Sequence, residues 1–542
     1  MPLTPAVERE FTKCFLEYII KLEIHSRGSH KVFAFGELKK MEAGVQEKFD
    51  FIVIGGGVVG SMIARWLSRY EASILLIEKQ ADIGMGCSSA NTAIVHAGYD
   101  PVPGSLKAKM NVRGNPMWDQ LAGELNFAFD RRGDYVVAVG DEEIPLVEKL
   151  MDQGKKNGVP GMIMLNGAEM RAREKNINPE VSGALWASTG GICDPLQVTV
   201  AAAESAVING VKVMLNTAFE GFIMDGKRVI GIHTNRGNFL ARWTINSAGM
   251  YSDDVMHKAG LRPEFLIKAR RGEYFVFDRA EVQIDNVLFP VPSSKGKGIL
   301  VTTTVHGNTL VGPTGTLIDD KEDSSTSAEG MQELADGAKK MIPSLNLKHA
   351  IATFSGLRPM GNAPTKTPGL NYNADYIIEI PEEVKGFVNL GGIESPGLTS
   401  APAIAEMVVE LLKDAGEPLV EKKDWNPIRP ARKRFRDMTH KERQLLCEMD
   451  PRYGRVICRC ENVTEGEIVR EIHAPIPATT YDAIKRRTWL GTGRCQGGFD
   501  MSRVVAILSR ELGISLLEVT KRGGGSEFLF RQTKDKEAQD AA

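Results

Sequence analysis

Along Phe49-Asp50-Phe51-Ile52-Val53-Ile54 the residues are almost uninterruptedly apolar, the pattern of a strand buried on both faces. Apolar positions then recur at helical spacing from about Val58 to Arg69, and a second apolar run, Ile74-Leu75-Leu76-Ile77, predicts another buried strand. Gly55-Gly56-Gly57-Val58-Val59-Gly60 joins the first strand to the helix without a gap. In such a β-α-β unit Gly55 permits the tight turn, Gly57 lets the backbone approach a pyrophosphate, and Gly60 lets helix and strand pack closely. Free N–H groups at the helix start face the phosphates. Glu78 ends the second strand at the distance expected of an acidic residue that holds a ribose, with Lys79 beside it as a further cofactor contact.

A chain of 542 residues exceeds one ordinary core and predicts two or three domains. A formal charge of -2 gives no global field for nucleic acid or an acidic membrane surface. The apolar segment Phe15 to Ile24 is broken by Glu17, Lys21 and Glu23, so no membrane span is expected. The seven cysteines, odd in number and partly clustered, do not form the framework of a small secreted domain and fit a reducing, cytoplasmic setting. The residues before Met41 mix acidic with basic side chains and lack a signal or transit pattern.

The run Gly86-Cys87-Ser88-Ser89-Ala90-Asn91-Thr92-Ala93-Ile94-Val95-His96-Ala97-Gly98-Tyr99 is small and polar, suiting close approach to phosphate and a flat ring. With Gly191-Ile192-Cys193-Asp194-Pro195, Asn246-Ser247-Ala248-Gly249, Arg271-Gly272-Glu273-Tyr274, Gly356-Leu357-Arg358-Pro359 and Gly391 to Ser400, it resembles the FAD-dependent oxidoreductases related to D-amino-acid oxidase. The resemblance is strongest to the L-2-hydroxyglutarate dehydrogenase branch and spans about Phe49 to Leu412. It implies that Gly55, Gly57, Gly60 and Glu78 hold the ADP half of FAD, and that Ser88, Ser89 and Asn91 lie near the pyrophosphate and flavin edge. Ala248 and Gly249 become a second FAD contact, and Gly392, Pro396, Gly397, Leu398 and Thr399 a closing loop on the pyrimidine side.

Moving a hydride from carbon to flavin requires a base for the adjacent O–H or N–H and a clamp on the substrate. His96, in the H-A-G segment that the resembled family sets beside the flavin, is the expected base or positioning group. Arg358 is the expected anion clamp, with Arg271 at the head of a cap strand and Tyr274 as companions. The closing loop resembles the 2-hydroxyglutarate branch, whereas fusion to the C-terminal module described next is similar to anaerobic glycerol-3-phosphate dehydrogenase large subunits. Both substrates are small anionic secondary alcohols.

Beyond Leu412 a charged stretch, Glu421 to Arg434, reads as a solvated connector. Val456-Ile457-Cys458-Arg459-Cys460-Glu461 and Gly493-Arg494-Cys495-Gln496-Gly497-Gly498-Phe499-Asp500 then resemble the [2Fe-2S]-binding domain of bacterioferritin-associated-ferredoxin type. That family implies C-x-C followed by C-x4-C, with thiolates at helix starts, so the expected ligands are Cys458, Cys460, Cys495 and, in the fourth cysteine position, Asp500. Three outcomes stay open: a cluster held by three cysteines and Asp500, one completed by Cys447, or a module that has lost its metal and serves assembly. Gly491-Thr492-Gly493 and Gly523-Gly524-Gly525 lack the strand-helix-strand setting of a second nucleotide site.

The expectation is therefore an α/β protein: a discontinuous Rossmann-type FAD-binding domain with an antiparallel β-sheet substrate domain and a small α-helical C-terminal module. Its parts are an extension over 1–48, an oxidoreductase domain over 49–415 with insertions at about 131–190 and 262–350, a linker over 416–455, the [2Fe-2S]-binding-like domain over 456–515 and a tail over 516–542. The expected activity is oxidation of a small anionic hydroxy compound, with electrons passed to an acceptor protein or quinone, in a multi-subunit complex or peripheral to the membrane. The rivals are an amine or amino-acid oxidase, a non-catalytic electron relay and, most remotely, a modifier of transfer RNA, for which no basic face is visible.

Overall fold

The structure, a computed structural model, describes residues 47–282, 284–292, 298–362 and 374–533. The expected N-terminal extension lies outside the described residues except for Glu47 and Lys48, which open the first strand, Glu47–Ile54.

That strand lies inside an eight-stranded sheet, parallel to Ile74–Ile77 on one side and to Gly237–Asn246 on the other. Residues far apart in the chain complete it: Lys212–Met214 runs parallel to the edge of Ile74–Ile77, and Phe387–Gly391 runs parallel to the end of Gly237–Asn246. Both faces are covered, as the unbroken apolar run demands. Phe51 and Val53 enter one core with the helices Val58–Leu67, Pro195–Ile208 and Gly397–Asp414, while Ile52 and Ile54 enter another with Val229, Phe239 and Met256.

A second sheet, of nine strands, stands over the first. Its longest pairing is antiparallel, Ile267–Phe277 against Ala350–Gly361. One pair departs from the antiparallel expectation: Asp134–Val139 runs parallel to Val287–Pro290. The sheet draws on strands between 134 and 187 and between 267 and 361, and Tyr135, Val137, Phe277 and Leu288 make a core of their own there.

The C-terminal region is mainly helical, with Glu465–Ile472, Tyr481–Thr488 and Met501–Leu512 around Ile468, Ile484, Val504 and Leu508. Asp82, fully buried in the loop after the second strand, receives Arg486 at 2.8 Å and Arg487 at 2.7 Å from this region. Arg494 pairs with Asp278, Arg279 with Glu461, and the His306 ring lies 4.0 Å from Trp489 while its Nε2 meets Asp194 at 3.0 Å.

The charged stretch before it is largely exposed but anchored at two arginines. Arg429 is buried and donates to Glu204 at 2.6 Å, and Arg432 bridges Glu204 and Glu471 at 2.9 and 2.6 Å. Glu204 and Glu471 are sealed from solvent, and a buried carboxylate requires cationic partners. The same segment carries a capped helix, His440–Met449.

Candidate active site

Between the two sheets lies one cavity of about 1960 Å³, well beyond the roughly 1,000 Å³ of ordinary small-molecule sites and long enough in its lining for a dinucleotide plus a substrate. Its floor is the turn after the first strand. Gly55 adopts φ +104°, and a Cβ on Gly60 would sit 2.0 Å from the Gly55 carbonyl oxygen, so the helix Val58–Leu67 can start only against glycine. That helix has no acidic residue in its first turn, and Ser88 Oγ accepts from Val58 N at 2.9 Å. Glu78 accepts from Gly56 N at 2.7 Å and Gln80 N at 2.9 Å. Burial raises its carboxyl above the ordinary range against those bonds.

Gly55, Gly57, Glu78, Lys79, Ser88, Ser89, Asn91, Ala248, Gly249, Pro396, Gly397 and Leu398 all line this cavity, together with His96, Tyr274 and Arg358. Three expected cofactor residues stand behind the wall. Gly60 serves helix packing, Gly392 follows the strand Phe387–Gly391 at φ +64°, and buried Thr399 accepts from His96 N through Oγ1 at 2.9 Å. The backbone around His96 is held elsewhere too, its carbonyl accepting from Asn111 and Asn115, each at 2.9 Å. His96 Nε2 lies 3.4 Å from Ser395 Oγ. The strand bearing Arg358 passes so near that a Cβ on Gly356 would meet the Ala90 carbonyl oxygen at 1.9 Å.

Arg271 is the correction. Its Nη1 donates to Asp323 at 2.6 Å and Ser325 at 3.0 Å, and it does not line the cavity. Side chains alternate along a strand, so the cavity takes Arg270, Gly272 and Tyr274 instead. Arg270 is the register partner of Arg358. Burial, then the Arg358 charge, lowers its guanidinium from the ordinary value. Tyr274 hydroxyl meets Thr92 Oγ1 at 3.1 Å, and burial raises its pKa. Sequence reasoning also passed over Lys107, whose Nζ meets Glu394 at 2.6 Å on the same wall; nothing in its helical surroundings marks it.

In the C-terminal region Cys460 Sγ lies 3.3 Å from Cys495 Sγ. Cys458 is buried beside Asp500, facing the backbone N–H groups of Gly491 and Glu461, and burial pushes its thiol up to about 11. Asp500 is buried, accepts from Tyr481 hydroxyl at 2.8 Å through Oδ1, and leaves Oδ2 without a partner. Among the described residues no three His, Cys, Asp or Glu side chains are arranged around a single ion. A [2Fe-2S] cluster divides its ligands between two irons, and the two pairs, Cys460 with Cys495 and Cys458 with Asp500, suit that division. Cys447 lies over Gly454 in the preceding segment.

Residues 50–411 match the FAD dependent oxidoreductase family, and residues 456–508 the BFD-like [2Fe-2S] binding domain. A glycerol 3-phosphate dehydrogenase of Caloramator mitchellensis is 42% identical over 491 residues, 90% of this chain and 99% of its own length. A mitochondrial L-2-hydroxyglutarate dehydrogenase of Arabidopsis thaliana is 29% identical over 67% of this chain and 83% of its own. The FAD-bound structure of L-alpha-glycerophosphate oxidase from Mycoplasma pneumoniae superposes with a TM-score of 0.65 at 31% identity, over 71% of this chain and 99% of that one.

Proposed function

The chain belongs to the FAD dependent oxidoreductase family, and we propose that it is a dehydrogenase whose substrate is glycerol 3-phosphate. The observation that carries this reading is the pair Arg270 and Arg358, set side by side by strand register in one cavity wall. Two adjacent guanidiniums repel, a repulsion that Glu394 and Glu333 temper at Arg270, and a phosphate meets both forks at once. The two carboxylates of 2-hydroxyglutarate are separated along a carbon chain and use such a pair less fully. The 42% identity to a glycerol 3-phosphate dehydrogenase supports the same choice.

FAD, when bound, supplies the hydride acceptor. Arg270 and Arg358 fix the phosphate, which brings the secondary hydroxyl toward His96, and His96 Nε2 takes the hydroxyl proton as the C–H bond breaks. Ser395 Oγ and the Thr399 bond to the backbone orient that imidazole. The turn at Gly55 to Gly57, Glu78 and the start of the helix Gly397–Asp414 fit the dinucleotide.

The sheet is read as a discontinuous Rossmann-type domain, supported by the glycine turn between parallel strands, with the nine-stranded sheet as the substrate cap. We take 49–415 as the oxidoreductase domain, 416–455 as an anchored connection and 456–515 as the [2Fe-2S] module. Cys458, Cys460, Cys495 and Asp500 are its proposed ligands, supported by the side-by-side pairs Cys460 with Cys495 and Cys458 with buried Asp500. Electrons would leave through this module to an acceptor protein or quinone. No helix among the described residues is long and apolar enough to cross a membrane.

Anaerobic addition of glycerol 3-phosphate, L-2-hydroxyglutarate and amino acids in turn, followed at the flavin absorbance, tests the assignment. Bleaching by glycerol 3-phosphate far ahead of the others is expected; preference for L-2-hydroxyglutarate or an amino acid overturns it.

A further inference from the structure

The cavity continues past Glu78. Its wall runs through Ala81 and the turn 216–218 and is completed by Arg522, Gly523, Gly524 and Gly525 of the C-terminal tail. Arg522 to Gly525 lie outside both family matches, which end at 411 and 508. The glycine cluster is the tip of a tight hairpin. Thr520 and Glu527 pair as an antiparallel bridge, Lys521 N donates to Ser526 O at 2.8 Å, and Gly523 N donates to Thr520 Oγ1 at 3.2 Å.

The hairpin rests on the loop that follows Glu78. Gly523 adopts φ +122°, and a Cβ there would approach the Ala81 Cβ to 3.1 Å. It is braced from behind, because Asp482 N donates to Lys521 O at 2.8 Å and Lys521 Nζ pairs with Asp482 at 3.0 Å. Arg486 and Arg487, in the same helix as Asp482, hold Asp82 next to Ala81. Arg522 is exposed, its backbone N–H donates to Ser526 Oγ at 2.9 Å, and its guanidinium makes no ion pair among the described residues.

Glycine backbone can approach a ligand more closely than any other, and a guanidinium offers a flat cation to an aromatic base or a fork to a diphosphate. We infer that the hairpin 520–527 is a wall of the cofactor site and holds the adenosine diphosphate end of FAD, with Arg522 as the contact residue. The inference rests on the flavoenzyme reading above. It makes the C-terminal region of the chain a structural part of the flavin site, joined at the end opposite His96 and Arg358.

The full-length chain, freed of flavin, is titrated with FAD and separately with riboflavin, which lacks the adenosine diphosphate end. Two variants are compared with the parent: Arg522→Ala, at an exposed position, and Gly524→Trp, where no atom lies within 4 Å of an added Cβ. Each is expected to weaken FAD binding roughly tenfold or more, the scale of one lost charged contact, and to leave riboflavin binding unchanged. FAD binding equal to the parent in both variants overturns the inference, as does equal weakening for riboflavin. A parent that takes up no FAD overturns instead the reading on which the inference rests.

Discussion

Arg270 and Arg358 are paired residues of neighbouring antiparallel strands, and both line the cavity that also holds His96. Burial and then the Arg358 charge lower the Arg270 guanidinium, while Glu394 and Glu333 act in the opposite sense. An anion arriving between the two forks adds to that compensation, so the pair reads as a binding device.

Arg358→Lys keeps the charge and removes the fork. Its apparent KM for glycerol 3-phosphate is expected to rise about 30-fold or more, the scale of a lost charge-assisted hydrogen bond, with FAD still bound. Steady-state kinetics with a parallel flavin spectrum checks this, and an unchanged KM removes Arg358 from the site. Arg270→Lys is expected to behave alike, whereas Arg271→Lys, its side chain engaged with Asp323, leaves KM near the parent value.

His96→Gln is expected to lower kcat by about 10²- to 10⁴-fold, the range of a lost general base, while KM and flavin content change little. Rapid-mixing measurement of flavin reduction across pH distinguishes the roles. A base shows as a lost rise of rate with pH; a merely positioning imidazole leaves that rise in place.

Asp500 is expected to serve as a cluster ligand. Anaerobically purified parent protein then contains iron and acid-labile sulfide, Asp500→Ala loses both, and Asp500→Cys keeps them with a shifted midpoint potential, since thiolate is a softer donor than carboxylate. Absence of iron and sulfide from the parent would reduce the module to an assembly role.

Glu174 gives a pH signature in stability. Burial pushes its carboxyl up to about 7 from an ordinary 4.5, against backbone donors at Asp285, Asn176 and Asn286. A folded value above the unfolded one means that the folded state holds the proton longer, so stability falls as pH rises from about 4.5 to about 7. Glu174→Gln is expected to melt higher than the parent above pH 7 and at the same temperature below pH 4.5, as thermal unfolding across that range would record.

Much of the nucleotide end was legible because glycine turn, helix and apolar strands follow one another locally, and the parallel partners merely extend them. The distant partners, Gly237–Asn246 and Phe387–Gly391, carry no local mark of adjacency. Arg271 and Tyr274 were both expected in the site, yet they differ by an odd number of positions on one strand, so simple alternation already excludes one of them. Register, which sequence does not display, brings Arg270 to Arg358. The anchoring of the charged stretch 421–434 was not legible because the carboxylates that Arg429 and Arg432 neutralise, Glu204 and Glu471, lie outside it, one of them more than 200 residues earlier. The triple glycine at 523–525 lacks the strand-helix-strand setting of a second nucleotide site, and its place against Ala81, some 440 residues away, has no mark in the sequence.

The clasp of Arg486 and Arg487 on Asp82 ties the C-terminal region to the loop after the second strand. Were the polypeptide severed ahead of the helix Tyr481–Thr488, Asp82 would exchange two guanidiniums for water, and the loop after the second strand would lose the contacts that now seal it.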